Sequence, residues 1–224
     1  ESLKIGLSFQ TENASVARRI LSAYKRVYGR EVEVSATQNM LLKKNKQYKI
    51  SLADEGEVKS LLMDSDFLRP ENVFQMQYSV DPSLLRTSEA VRAYIRASFL
   101  GAGSVTSPNK RYHLEFITHD EAHGRDLIKW LRRSHIEAKG VVRKDDYIVY
   151  LKEAEKISDL LAFMGAGQSV LQFESARVVK DVRNNVNRLV NCETANLSKT
   201  VNASTRQMRD LATIDSRIGI KRLP

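Results

Sequence analysis

The sequence predicts an α+β protein in which one strand-helix-strand-strand-helix unit occurs twice as a pseudosymmetric pair, followed by a helical extension. Two observations carry that prediction. Residues 7 to 62 and 114 to 161 show the same order of elements with similar residues at fixed spacing, the mark of an internal repeat. Beyond residue 165 the pattern changes to apolar residues at helical spacing, with no further copy of the unit.

The repeat aligns with almost one offset. Adding 107 pairs Leu7 with Leu114, Phe9 with Phe116, Thr11 with Thr118, Asn13 with Asp120, Arg18 with Arg125 and Val34 with Val141. Past the next hairpin the offset is 99, pairing Tyr48 with Tyr147, Ile50 with Val149, Leu52 with Leu151 and Leu61 with Leu160. The first copy therefore carries eight more residues in its hairpin.

Each copy is legible element by element. Leu3, Ile5, Leu7 and Phe9 alternate with Lys4, Gly6, Ser8 and Gln10, the period of a strand with one buried face. Asn13, and Asp120 in the second copy, suit a helix start because their side chains accept hydrogen bonds from free amides. Val16, Ile20, Tyr24 and Val27 then share one helical stripe, as do Leu127, Ile128 and Leu131. Gly29 is a fitting terminator. Two more strands follow in each copy, 31 to 36 with 47 to 53 and 139 to 143 with 147 to 152, the second pair joined by a tight turn at Asp145 and Asp146. Short helices around Val58 to Met63 and Ile157 to Met164 close the units.

Between the copies, a linker bounded by Pro70 and Pro82 leads to Ser88, read as the cap of a helix from Glu89 to Leu100. That helix runs into Gly101, Ala102, Gly103, Ser104 and Val105, then into a strand beginning near Tyr112. Small residues there let another helix approach closely, and Gly103 is expected to take the positive φ that ends a helix. Ile95, Ala97, Phe99, Gly101 and Gly103, followed by Ser104 and Val105, resemble the motif helix of LAGLIDADG homing endonucleases, in which paired helices form the seam between two saddle-like halves. The resemblance implies a LAGLIDADG-like αββαββα saddle. Because the first copy begins at Glu1, almost on its strand, its own motif helix is missing here and expected upstream.

The same resemblance separates this chain from the enzymes. In those nucleases the acidic residue before the final glycine holds the divalent metals that activate water. Here that position is Ala102, and the earlier acidic position of the motif is Leu100. A methyl group is no ligand for Mg²⁺, which takes oxygen donors. No catalytic residue, metal ligand or cofactor is therefore assigned.

Residues 165 to 224 lie outside the duplication. Val178, Val182, Val186 and Leu189 mark one amphipathic helix, and Leu197, Val201, Met208, Leu211 and Ile214 mark another, with abundant Asn between them. The stretch from Arg183 to Gln207, RNNVNRLVNCETANLSKTVNASTRQ, is similar to the corresponding part of the WhiA family, bacterial transcription regulators in which a degenerate LAGLIDADG domain precedes a helix-turn-helix. The similarity covers almost the whole chain. It implies a first LAGLIDADG-like half over 1–68, an inter-repeat linker over 69–87 and a second half over 88–168. Residues 169–224 then form a helical linker leading toward a C-terminal helix-turn-helix that is absent here.

Composition agrees with a polyanionic partner. Net charge is +9, from 36 Lys and Arg against 27 Asp and Glu, and residues 165 to 224 hold ten basic side chains against five acidic ones. The basic candidates for nucleic-acid binding are Lys43, Lys44 and Lys46 at the long hairpin tip, and Arg177, Lys180, Arg183, Arg188, Lys199 and Arg206 on the C-terminal helices. The single cysteine, Cys192, excludes an internal disulfide and fits a reducing cytosol. No stretch approaches the roughly 20 apolar residues that span a membrane.

The outward faces of the two saddle halves differ. With Leu7 and Phe9 inward, Lys4, Gly6, Ser8 and Gln10 face out, whereas the second copy presents His113, Glu115, Ile117, Ile148 and Tyr150. A carboxylate and exposed apolar groups make a poor track for phosphates, so this face is expected to have become a protein-contact surface. His119 and His123 have the spacing of a zinc helix, but the Glu between them sits one place late and no third ligand follows, so they are assigned to a helix N-terminal turn. Trp130 and Phe163 fit core stripes, and Gly165 to Gly167 fits a helix terminator. The reading favoured is a non-catalytic, DNA-binding regulator, cytoplasmic and nucleoid-associated, which the family resemblance links to cell division, chromosome segregation and sporulation. Its expected partners are double-stranded DNA, mainly through the missing helix-turn-helix, and another protein through the converted saddle. The alternative is a divergent LAGLIDADG nuclease or an RNA maturase.

Overall fold

The computed structural model describes residues 6–38, 46–69, 77–217 and 219. Strand β1 (Leu7–Thr11), helix α1 (Ala14–Tyr28), strands β2 (Glu33–Gln38) and β3 (Lys46–Leu52) and helix α2 (Glu55–Asp64) make the first copy. A 3-10 turn, Pro82–Leu85, leads to α3 (Ser88–Ala102) and the short β4 (Gly103–Val105). Strand β5 (Leu114–Thr118), helix α4 (Glu121–Arg133), strands β6 (Lys139–Arg143) and β7 (Asp146–Leu151) and helix α5 (Ala154–Phe163) make the second copy, and α6 (Gly167–Arg217) follows. The offset of 107 carries β1 onto β5 residue for residue, and that of 99 carries α2 onto α5.

Both sheets are antiparallel, in the orders β1-β3-β2 and β4-β5-β7-β6. Their registers repeat as the elements do. Leu7 stands opposite Leu52 and Phe9 opposite Ile50 in the first sheet, and Leu114 opposite Leu151 and Phe116 opposite Val149 in the second. Two compact units result, Glu1–Val105 with His113–Gly165, and Thr106–Tyr112 with Ala166–Pro224.

The helix caps form as the side-chain chemistry dictates. Asn13 Oδ1 accepts from the amide of Ser15 at 2.9 Å, and Asp120 Oδ1 accepts from that of His123 at 2.8 Å. Gly29 closes α1 in the left-handed conformation, φ 69°, with its N–H donating to the Lys25 carbonyl. Gly165, φ 78°, takes the same conformation just beyond α5.

The two cores are unequal. In the second copy Leu114, Phe116, Leu127, Leu131, Val149, Ile157 and Leu160 are at most 1% exposed, and Ile95 of α3 is fully buried with them. In the first copy the buried cluster is Leu52, Val58, Leu62 and Leu68, with Tyr24 and Val32 packed against it, while Leu7 keeps 37% of its surface in solvent. The linker is pinned by Asp126, whose Oδ2 accepts from the Val80 amide and from Trp130 Nε1, each at 3.2 Å. Phe163 is half-buried beneath the Arg92 guanidinium.

Several expectations need correction. Residues 165 to 217 do not form two helices, because α6 runs unbroken for 51 residues. No Gly or Pro interrupts the sequence from 168 to 217, and the Asn residues lower helix propensity by only about 0.7 kcal/mol each relative to Ala. Gly103 is not left-handed: its φ is −91° and ψ 148°. It is required because a Cβ there would collide with the ring and carbonyl of Phe99. Thr87, not Ser88, caps α3, its Oγ1 accepting from the Ala90 amide at 3.2 Å. The β6-β7 turn is Lys144 and Asp145, with Lys144 left-handed at φ 56°. Val27 lies in the last turn of α1, past the packed part of the stripe, and is 70% exposed. Leu3, Lys4, Ile5 and Pro70 lie outside the described residues.

Tyr147 wedges between two glycines, since a Cβ on Gly124 would strike its ring and a Cβ on Gly140 its hydroxyl. Gly124→Ala gains about 1 kcal/mol of helix propensity, but overpacking costs about 1–3 kcal/mol. We expect a net loss of stability in a urea melt. An unchanged or raised midpoint would mean that Tyr147 yields freely.

Candidate nucleic-acid interface

Strand alternation divides each sheet into a helix-facing and an outward side. On the first sheet Ser8, Gln10, Glu33, Ser35, Thr37, Gln47, Lys49 and Ser51 share the outward side, a row of hydroxyl and amide groups with one lysine and one glutamate. Gln47 Nε2 donates across it to Gln10 Oε1 at 3.5 Å. On the second sheet the outward side holds Ser104, Glu115, Ile117, Lys139, Val141, Arg143, Asp146, Ile148 and Tyr150. Here Glu115 Oε2 lies 2.9 Å from His113 Nε2 and its Oε1 accepts from Ser104 Oγ at 3.3 Å. The His113 ring stacks on Tyr150 at 6.1 Å between centroids, and Lys152 Nζ lies 4.9 Å from the Tyr150 ring centre. Ile148 is only 6% exposed although it faces outward, because Ile117 and Val141 stand directly beside it in register.

The hydrogen bond from His113 holds the Glu115 carboxyl below the usual carboxylate range, against a smaller opposing effect of burial.

The five motif residues divide by direction. Ile95 and Phe99 turn toward their own sheet, Ile95 fully buried and Phe99 edge-on to Phe116 at 5.7 Å. Ala97 and Gly101 instead line an apolar groove of about 440 Å³, shared with Phe9, Val16 and Ile20 of the first copy. Gly103 opens β4. At the end of α3, Gly101 and Ala102 border a recess of about 430 Å³ with Ile117, His119 and His123. His119 Nδ1 is engaged by Asp146 Oδ1 at 2.6 Å and His123 Nδ1 lies 3.1 Å from the Tyr78 carbonyl. Among the described residues no three His, Cys, Asp or Glu side chains gather at metal-binding distance.

The basic candidates fall into three groups. Lys43 and Lys44 lie outside the described residues, and Lys46 is exposed at the start of β3. Arg177 and Lys180, in the inner part of α6, are occupied. Arg177 Nη1 lies 3.5 Å from Glu174, and Lys180 Nζ donates to the Pro108 carbonyl at 2.9 Å while sitting 4.5 Å from the Tyr112 ring centre. Arg188, Lys199 and Arg206 stand farther out on α6, exposed.

Because α6 is one helix, spacing along its whole length has meaning. Arg177, Lys180, Asn184, Arg188, Asn191, Ala195, Lys199, Asn202, Arg206 and Arg209 succeed one another at intervals of three or four, and so share one face. Asp181 borders that face at its inner end, but from Arg188 to Arg209 it holds no acidic residue. Arg183 is not part of it and lies toward the opposite, apolar side with Val190 and Val201. Arg209 and the three Asn residues were missed by the sequence reading, which broke the helix in two and so lost the phase between its halves. Over 51 residues, α6 extends about 75 Å. Among the described residues no helix is long and apolar enough to cross a membrane.

Comparison with known proteins points one way for every segment. The WhiA N-terminal LAGLIDADG-like domain matches residues 1–68, the WhiA LAGLIDADG-like domain residues 91–183, and the WhiA C-terminal HTH domain residues 186–224. A probable cell division protein WhiA from Clostridium botulinum is 46% identical over 215 residues, 96% of this chain and 68% of that protein. Its namesake from Thermoanaerobacter pseudethanolicus is 43% identical over 222 residues, 99% of this chain and 70% of that protein. The crystal structure of full-length DUF199/WhiA from Thermatoga maritima superposes with a TM-score of 0.62 at 22% identity, over 98% of this chain and 68% of that one, a likeness of fold. The described part of the HTH match, 186 to 217, is the outer portion of α6, so the match begins within the stretch read from sequence as a linker.

Since the folded Glu115 carboxyl is held low, its stabilisation is fully present above the unfolded value of about 4.3 and is lost as pH falls through the lower folded value. Glu115→Gln is expected to flatten the fall in melting temperature between about pH 5 and pH 3. Parallel curves for the two proteins would show that the pair carries no such linkage.

Proposed function

This chain belongs to the WhiA family, and on that premise we propose that it acts as a non-catalytic, DNA-binding transcription regulator in cell division, chromosome segregation and, in spore formers, sporulation. The name shared by its relatives, probable cell division protein WhiA, supports the process. The match to an HTH domain supports DNA as the partner, and a DNA partner is in keeping with action in the cytoplasm, at the nucleoid.

The observation that carries the reading is the Arg, Lys and Asn face that α6 holds in phase along its unbroken length. Cations release condensed counterions from a duplex and supply most of the salt-sensitive affinity, while Asn and Arg side chains can also read base edges. Arg188, Lys199, Arg206 and Arg209 are the phosphate-contact residues on this account. Arg177 and Lys180 hold local structure instead, and Lys43, Lys44 and Lys46 form a secondary basic site. Ala102 in place of a metal-binding acid supports a role without strand cleavage.

The saddle then serves as scaffold and protein-contact module, with α3 as its seam. Support comes from the second sheet, whose outward side sets Glu115 and Asp146 beside Ile117, Val141 and Tyr150. Lys139 and Arg143 on the same side balance the two carboxylates, so the row offers a phosphate backbone no net positive charge and suits another protein's polar and apolar groups.

The test is duplex binding by this chain and by a version extended to the length of its relatives, on operator and scrambled DNA across a salt series with and without Mg²⁺. Replacing Arg188, Lys199 and Arg206 together by Ala is expected to weaken binding to both duplexes and to lower the slope of log affinity against log salt by about 1 per contact removed. An unchanged slope would remove α6 from the interface. Nicking that requires Mg²⁺ would restore the nuclease reading.

A further inference from the structure

A cavity of about 710 Å³ opens where the 3-10 turn meets the start of α3 and the ends of α4 and α5. Its floor is apolar and aromatic: Leu85 and Val91 are buried there, and Trp130 is 2% exposed. Its rim carries Arg86, Arg133 and His135, all exposed. Arg86 and Arg133 have no carboxylate within ion-pair distance among the described residues. Arg133 lies over the Trp130 ring, 5.0 Å from its centre. Asp81, the acid whose field Arg86 shares, is already engaged, its Oδ1 accepting from the Ser83 amide at 2.7 Å. Ser134, also at the cavity, spends its hydroxyl on the Trp130 carbonyl at 3.1 Å.

Guanidinium groups left without acidic partners at the mouth of an apolar recess suit a ligand with an anionic head and a flat apolar body. The head meets planar donors that match phosphate or carboxylate oxygens. The body packs against the exposed Pro82 and the half-buried Phe163 of the cavity wall, with the buried Leu85, Val91 and indole behind it. The volume lies within the range of small-molecule sites, about 300–1,000 Å³. None of these residues belongs to either sheet or to α6, so the site is separate from every surface assigned above.

We infer that this cavity binds a small planar organic phosphate, of the chemistry of a nucleoside diphosphate, gripped by Arg86 and Arg133 over the Trp130 floor. Trp130 is the only tryptophan in the chain, so its emission reports on this cavity alone.

The experiment is titration of the intact protein with ADP and, separately, with inorganic phosphate, followed by calorimetry and by Trp130 fluorescence. ADP is expected to bind with a dissociation constant below about 1 mM and to change Trp130 emission with the same midpoint. Phosphate alone is expected to bind at least about tenfold more weakly, for want of contacts to the floor. Arg86→Glu and Arg133→Glu, each checked for an unchanged circular-dichroism spectrum, should each weaken ADP at least about tenfold. Should Arg133→Glu disturb the fold through Trp130, Arg86→Glu stands alone as the test. No heat and no emission change with ADP at about 10 mM, ADP affinity equal to that of phosphate, or full affinity in Arg86→Glu would each overturn the inference.

Discussion

Strand β5 is held to β7 with Leu114 opposite Leu151 and Phe116 opposite Val149, and β1 is held to β3 in the equivalent positions. Since side chains alternate across a strand, slipping either pair by one residue would send the buried leucines to solvent and Glu115 or Lys49 into the core. Burying a carboxylate without partners costs several kcal/mol, so the register is strongly determined. The make-up of both outward surfaces depends on it. The same register that buries Phe116 obliges Glu115, Ile117 and Tyr150 to share the opposite face, where His113 and Ser104 satisfy the carboxylate.

The two copies keep one topology and differ in how well they are packed. The second has α3 against its sheet, and residues at its centre are wholly buried. The first has β1 at an edge, with Leu7 partly in solvent and Phe9 facing the apolar groove that Ala97 and Gly101 also line. On that side of α3 the small Ala93, Ala97 and Gly101 stand beside Arg96 and Leu100, which follows from the two duties of the helix. Ile95 and Phe99 fill the second core, while Ala97 and Gly101 leave room beside Phe9, Val16 and Ile20.

Much of this was legible in the sequence because it rests on local chemistry. Period-two alternation located β2, β3, β5, β6 and β7 to within two residues, Asn13 and Asp120 announced helix starts, and Gly29 announced an end. The misses differ in cause, tertiary packing at Gly103 and local turn or helix chemistry at Lys144 and along α6. Gly103 has the look of a left-handed cap, but its lack of a side chain serves the approach of Phe99 instead. Lys144 adopts the left-handed turn conformation that Gly or Asn would signal. On the candidate interface, the cations themselves were readable, whereas their occupation was not: nothing in spacing reveals that Lys180 donates to the carbonyl of Pro108, 72 residues away. The cavity around Trp130 was equally invisible, for it draws on three segments and the tryptophan alone reads as core.

Helix α6 shows how one wrong boundary hides a pattern. Divided at its Asn residues, the segment is two ordinary amphipathic helices with scattered basic residues, and each basic residue reads as a solvated surface group. Joined, the same residues fall into phase, and Asn184, Asn191 and Asn202 become members of the cationic face instead of interruptions. Opposite them Val182, Val186, Leu189, Leu197, Val201, Met208 and Leu211 remain exposed on the apolar side. A helix this long holds such opposed faces in fixed relation, because each turn adds the same rotation and no Gly or Pro resets it. The arrangement of charge on α6 is thus a consequence of its continuity, and what the face can grip is decided by residues that have no local signature of their own.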